Sequence, residues 1–341
     1  IEINVEDSIA AIENYISSEW DGSDAEIELV AEVVEPRGSE EDLEQITDMM
    51  GSYTTNYKDS GQNRCDNISN ATSKINGTLL YPGEEFSVYE AIGPLDAANG
   101  YELAGAYENG QTVESYGGGV CQVSTTLYNA VILAELEITQ RSNHSMIVSY
   151  VKPSMDAAIA GDYKDLRFVN NQDIPIYIEG YTEGKNVTFK IYGHDTRPSN
   201  RVVTYESEVV SEQDPGTQYV ATGDPAGYMK TAQGKHIGYV ARLWKVVTVD
   251  GVEESREIFN KSTYKASPKI VNVGTASADP NVSAVIGAAL ATGDEATINA
   301  AVAPYAASAA AILNPAPVEQ PSQEEQAITG TVDESQITGG E

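Results

Sequence analysis

The stretch YGGGVCQVSTTLYNAVILAELEI, Tyr116 to Ile138, decides how the rest of the chain is read. Its apolar residues Val120, Val123, Leu127, Ala130, Val131 and Ala134 recur at helical intervals, so the spacing predicts an amphipathic helix beginning near Cys121. Gly117, Gly118 and Gly119 stand just before it, where small residues let other backbone approach closely. A cysteine in the first turn of a helix gains stabilisation of its thiolate, from a few tenths to about 2 kcal/mol.

Downstream, SMIVSYV, DLRFV, IPIYIEGY and VTFKIYG alternate with period two and are separated by turn residues, the pattern of half-buried strands. Upstream, Asn70 to Ile75 reads as a turn of helix, and Asn76-Gly77 and Pro82-Gly83 bracket a short apolar strand. The expected fold class is α+β, with one central helix packed on antiparallel strands. Residues 1–50 are acidic apart from Arg37. They read as a helix (Asp7 to Trp20), a strand (Glu26 to Val34) and a short helix (Glu40 to Met50), too little for a core of their own.

Beyond a linker at Arg197-Pro198-Ser199-Asn200, residues 201–275 are strands and glycine turns, with a hairpin signal at Asp250-Gly251. That stretch is expected to be a separate all-β module. After Lys269 no Lys or Arg occurs, and residues 276–341 read as an acidic, Ala/Pro-rich, low-complexity tail. Weak helices are expected between Val282 and Leu313 and disorder for most of the tail.

Composition narrows the partners. Lys and Arg number 20 against 52 Asp and Glu, a net charge of -32 over 341 residues. Such a surface repels phosphate backbones and anionic headgroups, so nucleic acid and direct membrane binding are not expected. No apolar run approaches the roughly 20 residues of a membrane span. Tyr outnumbers Phe 20 to 4, a bias towards rings that sit half-wet.

Two cysteines, Cys65 and Cys121, exclude a four-cysteine zinc site and permit one bridge or one reactive thiol. With three histidines in the chain, the choice of a base for Cys121 is narrow. His144 follows the helix, at the expected start of a strand; His194 and His236 lie in or beside later strands. Asp156 or Asp165 is placed to orient the imidazole. The same cysteine is also accounted for by inert burial or by a bridge to Cys65. A zinc site from Cys121, His144 and a carboxylate lacks tight ligand spacing. Gly234-Lys235 lacks the rest of a phosphate loop, and no cofactor is expected.

These residues carry a resemblance. YTTNY, NRCDNISNATSKINGTLLYPGEEFSVYEAIGP, GGGVCQVSTTLYNA and the run through RSNHSMIVSYV to IPIYI resemble the VanW family over most of residues 52–195, within a domain expected at 51–197. Residues 1–50 are similar to the end of a peptidoglycan-binding domain truncated upstream, and 201–275 resemble a G-five domain. The resemblance implies an exported or envelope-anchored Gram-positive protein, with peptidoglycan or wall glycan as partner and a membrane reached only through a removed N-terminal anchor. It places Gly118, Gly119, Cys121, Gln122, Ser124, Thr125 and His144 in one neighbourhood, with Asn63, Arg64 and Asn67 in the same pattern.

Two functions follow as expectations. In one, Cys121 attacks an acyl group of a wall peptide, His144 takes the thiol proton, backbone N–H groups hold the oxyanion and Gln122 adds a side-chain donor. In the other, the chain is a non-catalytic wall- or glycan-binding module with a structural cysteine.

Overall fold

The computed structural model describes residues 2–32, 38–108, 111–161 and 163–313. Its contacts divide into two compact units, Ile1–Glu212 with Gly238–Lys265, and Gln213–Ile237 with the chain from Ala266 onward.

The first unit is built on the helix Val120–Leu133. Val123, Leu127, Ala130 and Val131 are fully buried, each contributing about 1.5–3 kcal/mol for the larger side chains. The helix packs on a four-stranded antiparallel sheet in the order Asp48–Asn56, Asn186–Gly193, Ile176–Glu183, Thr78–Leu80. The approach is so close that a Cβ on Gly51 would sit 2.3 Å from the Ala130 carbonyl oxygen. A second helix, Gln62–Ile75, packs on the same sheet through Ile68, Ala71 and Ile75. A three-stranded sheet (Glu85–Ser87, Arg167–Val169, Glu137–Gln140) and a hairpin (Leu103–Glu108 with Gln111–Tyr116) flank this core. The α+β expectation of a central helix on antiparallel strands is met.

The same unit contains a third sheet: Arg201–Gln213, Gly238–Val249 and Val252–Tyr264, in that order. Its last two strands form the hairpin expected at Asp250-Gly251, where both residues take positive φ, 52° and 78°. Leu243, Tyr205 and Phe259 of this sheet join the first unit's hydrophobic core.

In the second unit, Lys269–Ala276 pairs in parallel with Thr217–Pro225 and antiparallel with Met229–Gln233. Helices stand where weak ones were expected, at Pro280–Thr292, Glu295–Val302 and Ala306–Leu313, but they bury more than their small side chains suggested. Ile286, Ile298 and Val302 are buried against Val271 and Val273, so alanine-rich helices with a few branched residues complete a small core. Among the described residues Glu295–Leu313 is also long and apolar enough to cross a membrane by length and composition, because a 3-10 turn at Ala303–Tyr305 joins two short helices into one run. Residues 314–341 lie outside the described residues.

Other local expectations shift. The helix read at Asn70 to Ile75 extends back to Gln62, a polar face having hidden its first two turns. The helix Glu40 to Met50 stops at Glu44, and Asp48 already opens a strand. SMIVSYV is not a strand; His144 stands in an irregular segment.

Candidate active site

Gly119 caps the helix Val120–Leu133 with φ of 118° and no side-chain cap bond. Its backbone lies against Arg64 and Ile68 of the neighbouring helix, and a Cβ on Gly118 would meet the Ala104 carbonyl oxygen at 2.5 Å. The glycines therefore let the helix start beneath two other elements, and their own carbonyls take up first-turn donors: the Val120 N–H bonds the Gly117 oxygen at 3.0 Å and the Gln122 N–H the Gly119 oxygen at 2.9 Å.

From that start a stripe of residues at i, i+4 and i+8 reads along the segment 155–159. The Cys121 Sγ lies 3.4 Å from the Ile159 oxygen and accepts the Ile159 N–H at 3.5 Å. Thr125 Oγ1 accepts the Ala157 N–H at 3.0 Å and bonds the Ala157 oxygen at 3.2 Å. Asn129 Nδ2 donates to the Met155 oxygen at 2.8 Å. Four helical residues advance about 6 Å and two near-extended ones about 6.6 Å, so the two periods stay in register over this length. Ser124 donates to the Ala157 oxygen as well, at 2.5 Å.

With residues 155, 157 and 159 held to the helix, Asp156 is turned to the opposite side, and His144 meets it there. His144 Nδ1 lies 2.7 Å from Asp156 Oδ2, and the His144 backbone N–H donates to the same oxygen at 2.7 Å. The His144 ring and the Cys121 thiol also act on each other electrostatically. Arg141 braces the carboxylate, with Nη2 at 3.1 Å from Oδ1 and Nε donating to the Asp156 carbonyl at 2.7 Å. Tyr264 donates its hydroxyl to Oδ1.

Electrostatics follow this geometry. Burial alone would push the Cys121 thiol up, but the bond to His144 and its charge outweigh burial and hold the thiol below its ordinary value. Burial likewise opposes the charged imidazole, yet the bonds to Asp156 and Cys121 raise His144 to about 9. Asp156 stays below the usual carboxylate range because His144 and Arg141 more than offset its burial. Both shifts run in the direction that favours a thiolate–imidazolium pair over the neutral thiol and imidazole. Tyr150 stands edge-on to the His144 ring, centroids 6.4 Å apart, its hydroxyl pushed well up by burial and then by the sulfur's charge.

Other sequence-expected residues fall differently. Asp165 does not orient the imidazole: it accepts from Ser87 Oγ, from the Tyr89 and Leu166 N–H groups, and pairs with Arg167. The Gln122 side chain cannot hold an oxyanion, because its amide donates to Thr55 Oγ1 and to the Asn56 oxygen, both at 3.0 Å. Its Oε1 instead accepts from Arg64 Nη2 at 2.8 Å. Asn63 donates to the Leu103 oxygen, and Asn67 bridges the Glu102 and Gly118 oxygens. Both cysteines are free thiols, and Cys65 lies 3.7 Å from the Ser60 oxygen. His194 is half-exposed beside Asp48, and His236 belongs to the second unit. Among the described residues no three His, Cys, Asp or Glu are grouped to hold a metal ion.

Arg64, Gln122 and Tyr150 also line a cavity of about 780 Å³ with Lys58, Ser60 and Ala104. Arg141 and Tyr264 escaped the sequence reading. Arg141 stands three residues before His144 in RSNHS, the one local hint; Tyr264 is 108 residues from Asp156, and no spacing could connect them.

A thiol on the first turn of a helix and a buried histidine–carboxylate pair thus share one neighbourhood. Comparison with known proteins narrows this. Residues 63–192 match the family model described as VanW like protein, and residues 204–276 match that of the G5 domain. The chain is 33% identical over 187 residues to the protein YoaR of Bacillus subtilis (strain 168), covering 54% of this chain and 62% of the relative. It is 30% identical over 118 residues to the vancomycin B-type resistance protein VanW of Enterococcus faecalis (strain ATCC 700802 / V583), covering 33% of this chain and 42% of that protein. The chain thus spans less than two thirds of either relative. Among solved structures, an IgA1 protease G5 domain shares 26% identity over 23% of this chain and 94% of its own, with a TM-score of 0.17. The G5 domain of HP0197 shares 19% over 21% and 97%, with a TM-score of 0.13.

Proposed function

We propose that this is a cell-envelope protein whose VanW-like domain is a cysteine-dependent acyl-transfer enzyme acting on a peptide amide of the wall. The observation that carries the reading is the His144–Asp156 pair, Nδ1 to Oδ2 at 2.7 Å, acting on the Cys121 thiol at the start of a glycine-capped helix. The Cys121 thiolate attacks the amide carbonyl carbon, and negative charge moves onto the carbonyl oxygen. The Cys121 backbone N–H stabilises that oxygen, the Val120 and Gln122 N–H groups beside it being already bonded to the Gly117 and Gly119 oxygens. The His144 imidazolium then gives its proton to the departing amine, the C–N bond breaks and a thioester remains on Cys121. Water or a second amine, deprotonated by His144, attacks the thioester and restores the thiol; the first gives hydrolysis, the second transpeptidation. Asp156 keeps the ring oriented throughout. Arg64, fixed by Ser60 and Gln122 on the cavity wall, offers its remaining N–H donors to a substrate carboxylate.

The VanW-like and G5 domains support the envelope setting and a wall-peptide substrate. The G5 match also favours a second reading, a wall-binding protein without catalysis. The test uses full-length protein carrying Cys65→Ala, so that labelling reports Cys121 alone. Iodoacetamide should alkylate Cys121 at pH 7 at least tenfold faster than free cysteine, and His144→Ala should abolish the excess. Incubation with isolated wall peptides should give a Cys121 thioester detectable by mass spectrometry. Reactivity no faster than free cysteine, with wall retention unchanged by Cys121→Ala, would sink the enzyme and leave the binder.

A further inference from the structure

We propose that the hairpin Gly238–Val249/Val252–Tyr264, which falls inside the G5-matched segment, is a working wall of the cysteine site, and that Tyr264 is the positioning residue for Asp156. The inference rests on the acyl-transfer reading above. It departs from the picture of a G5 domain as a free-standing neighbour, because this hairpin belongs to the same compact unit as the site.

Three alternate residues of the second strand face the segment around Asp156. Tyr264, 2% exposed, donates to Asp156 Oδ1, and its oxygen accepts the Ser154 N–H at 2.7 Å. One hydroxyl therefore fixes both the carboxylate and the backbone two residues before it. Ser262, also buried, accepts from Arg141 Nη1 at 2.9 Å, aiming the guanidinium whose other nitrogens hold Asp156. Asn260 donates to Tyr128 Oη at 2.6 Å and to the Ser154 oxygen at 3.2 Å. Backbone bonds continue the seam: Lys265 N–H to the Ser145 oxygen at 2.7 Å, and Asn143 Nδ2 to the Thr263 oxygen at 2.9 Å. The His144 segment and the Asp156 segment are thus both tied to one strand.

Strand faces that serve only as packing surfaces bury apolar side chains. Here the inward residues at 260, 262 and 264 are polar or carry a polar tip, and each terminates on Asp156, on Arg141 or on the backbone beside them. Asp156 Oδ1 receives Tyr264 and Arg141, while Oδ2 receives His144 twice. With both Oδ1 donors in place the carboxylate plane is fixed and Oδ2 faces the imidazole. Without Tyr264 the carboxylate can turn, His144 loses part of its counter-charge, and the thiolate loses the imidazolium that stabilises it.

The experiment again uses the full chain with Cys65→Ala and reads iodoacetamide alkylation of Cys121 against pH. In Tyr264→Phe the rise of rate with pH should move upward by about one pH unit, lowering the rate at pH 7 about tenfold. Ser262→Ala should shift the profile the same way by a smaller amount. Val252→Ala, at the exposed hairpin tip, should leave it unchanged. A merely structural role would lower the thermal midpoint without moving the profile. If Tyr264→Phe fails to fold by circular dichroism, Ser262→Ala decides. Folded variants with the parent profile would overturn the inference while the parent's fast thiol still upholds the enzyme. A slow thiol in the parent itself would overturn both.

Discussion

Cys121 sits where burial and charge oppose each other, and the sign of the outcome can be read from stability as well as reactivity. His144 is raised from 6.5 to about 9 on folding, so its contribution to stability is complete below pH 6.5 and is lost as pH rises through 9. Cys121 is lowered from 9.0, so its contribution runs the other way, growing as pH rises towards 9. In the parent the two slopes oppose each other, so the thermal midpoint should fall less between pH 6.5 and 9 than the His144 shift alone would make it. Cys121→Ala removes one slope and leaves the other, so its midpoint should fall across that window; a Cys121→Ala profile no steeper than the parent's would contradict the pairing. Asp156→Asn should be harsher still, since it leaves Arg141 buried without its carboxylate. A loss of about 3–5 kcal/mol in urea unfolding is expected. Cys121 and His144 were legible as candidates because a glycine run and a scarcity of histidines point to them locally. The choice between Asp156 and Asp165 was not. Only the tertiary structure shows that Asp165 satisfies Ser87 and the Tyr89 N–H near the start of a different helix.

At the scale of elements, the site depends on a helix and a loop keeping step over residues 121–129 and 155–159. Thr125 is the middle tie, both accepting from and bonding to Ala157. Thr125→Val keeps the volume and removes both bonds inside a buried seam, so a loss of about 1–3 kcal/mol is expected. Alkylation of Cys121 should slow as Asp156 drifts from His144; an unchanged rate would show the register to be unnecessary. Beneath the helix, Gly51→Ala forces a Cβ against the Ala130 oxygen, a backbone atom with no rotamer to escape into. It should cost more than about 2 kcal/mol, whereas Gly234→Ala, with nothing within 4 Å, should be near neutral. The central helix and the later strands were legible because their apolar periods are long and clean. The first turns of Gln62–Ile75 were not, their outward residues being almost wholly polar. SMIVSYV alternates like a strand, but its neighbourhood is organised by side-chain bonds to Asp156 and by the hairpin edge rather than by a sheet ladder.

At the scale of the molecule, local patterns drew a module boundary near residue 200, whereas contacts group 238–265 with the residues before 213. Pairing across such separations leaves no trace in hydrophobic periodicity, and the assignment of Tyr264 to the site could only come from the fold. The alanine-rich tail was misjudged for a related reason: composition counts small side chains as poor core, but Ile286, Ile298 and Val302 are spaced to meet Val271 and Val273. Each unit thus has a hydrophobic cluster of its own, and the Cys121 site draws on one of them. Ile298, fully buried, should on truncation to Ala destabilise the second unit by about 2–5 kcal/mol. Phe189→Ala, in the core under the central helix, should cost a comparable amount in the first. Calorimetry should register both losses, but the thiol should separate them: Ile298→Ala alkylates at the parent rate, while Phe189→Ala slows because the helix that carries Cys121 loses its support. A slowed thiol in Ile298→Ala would mean that the second core also sustains the site, and that the two clusters act as one.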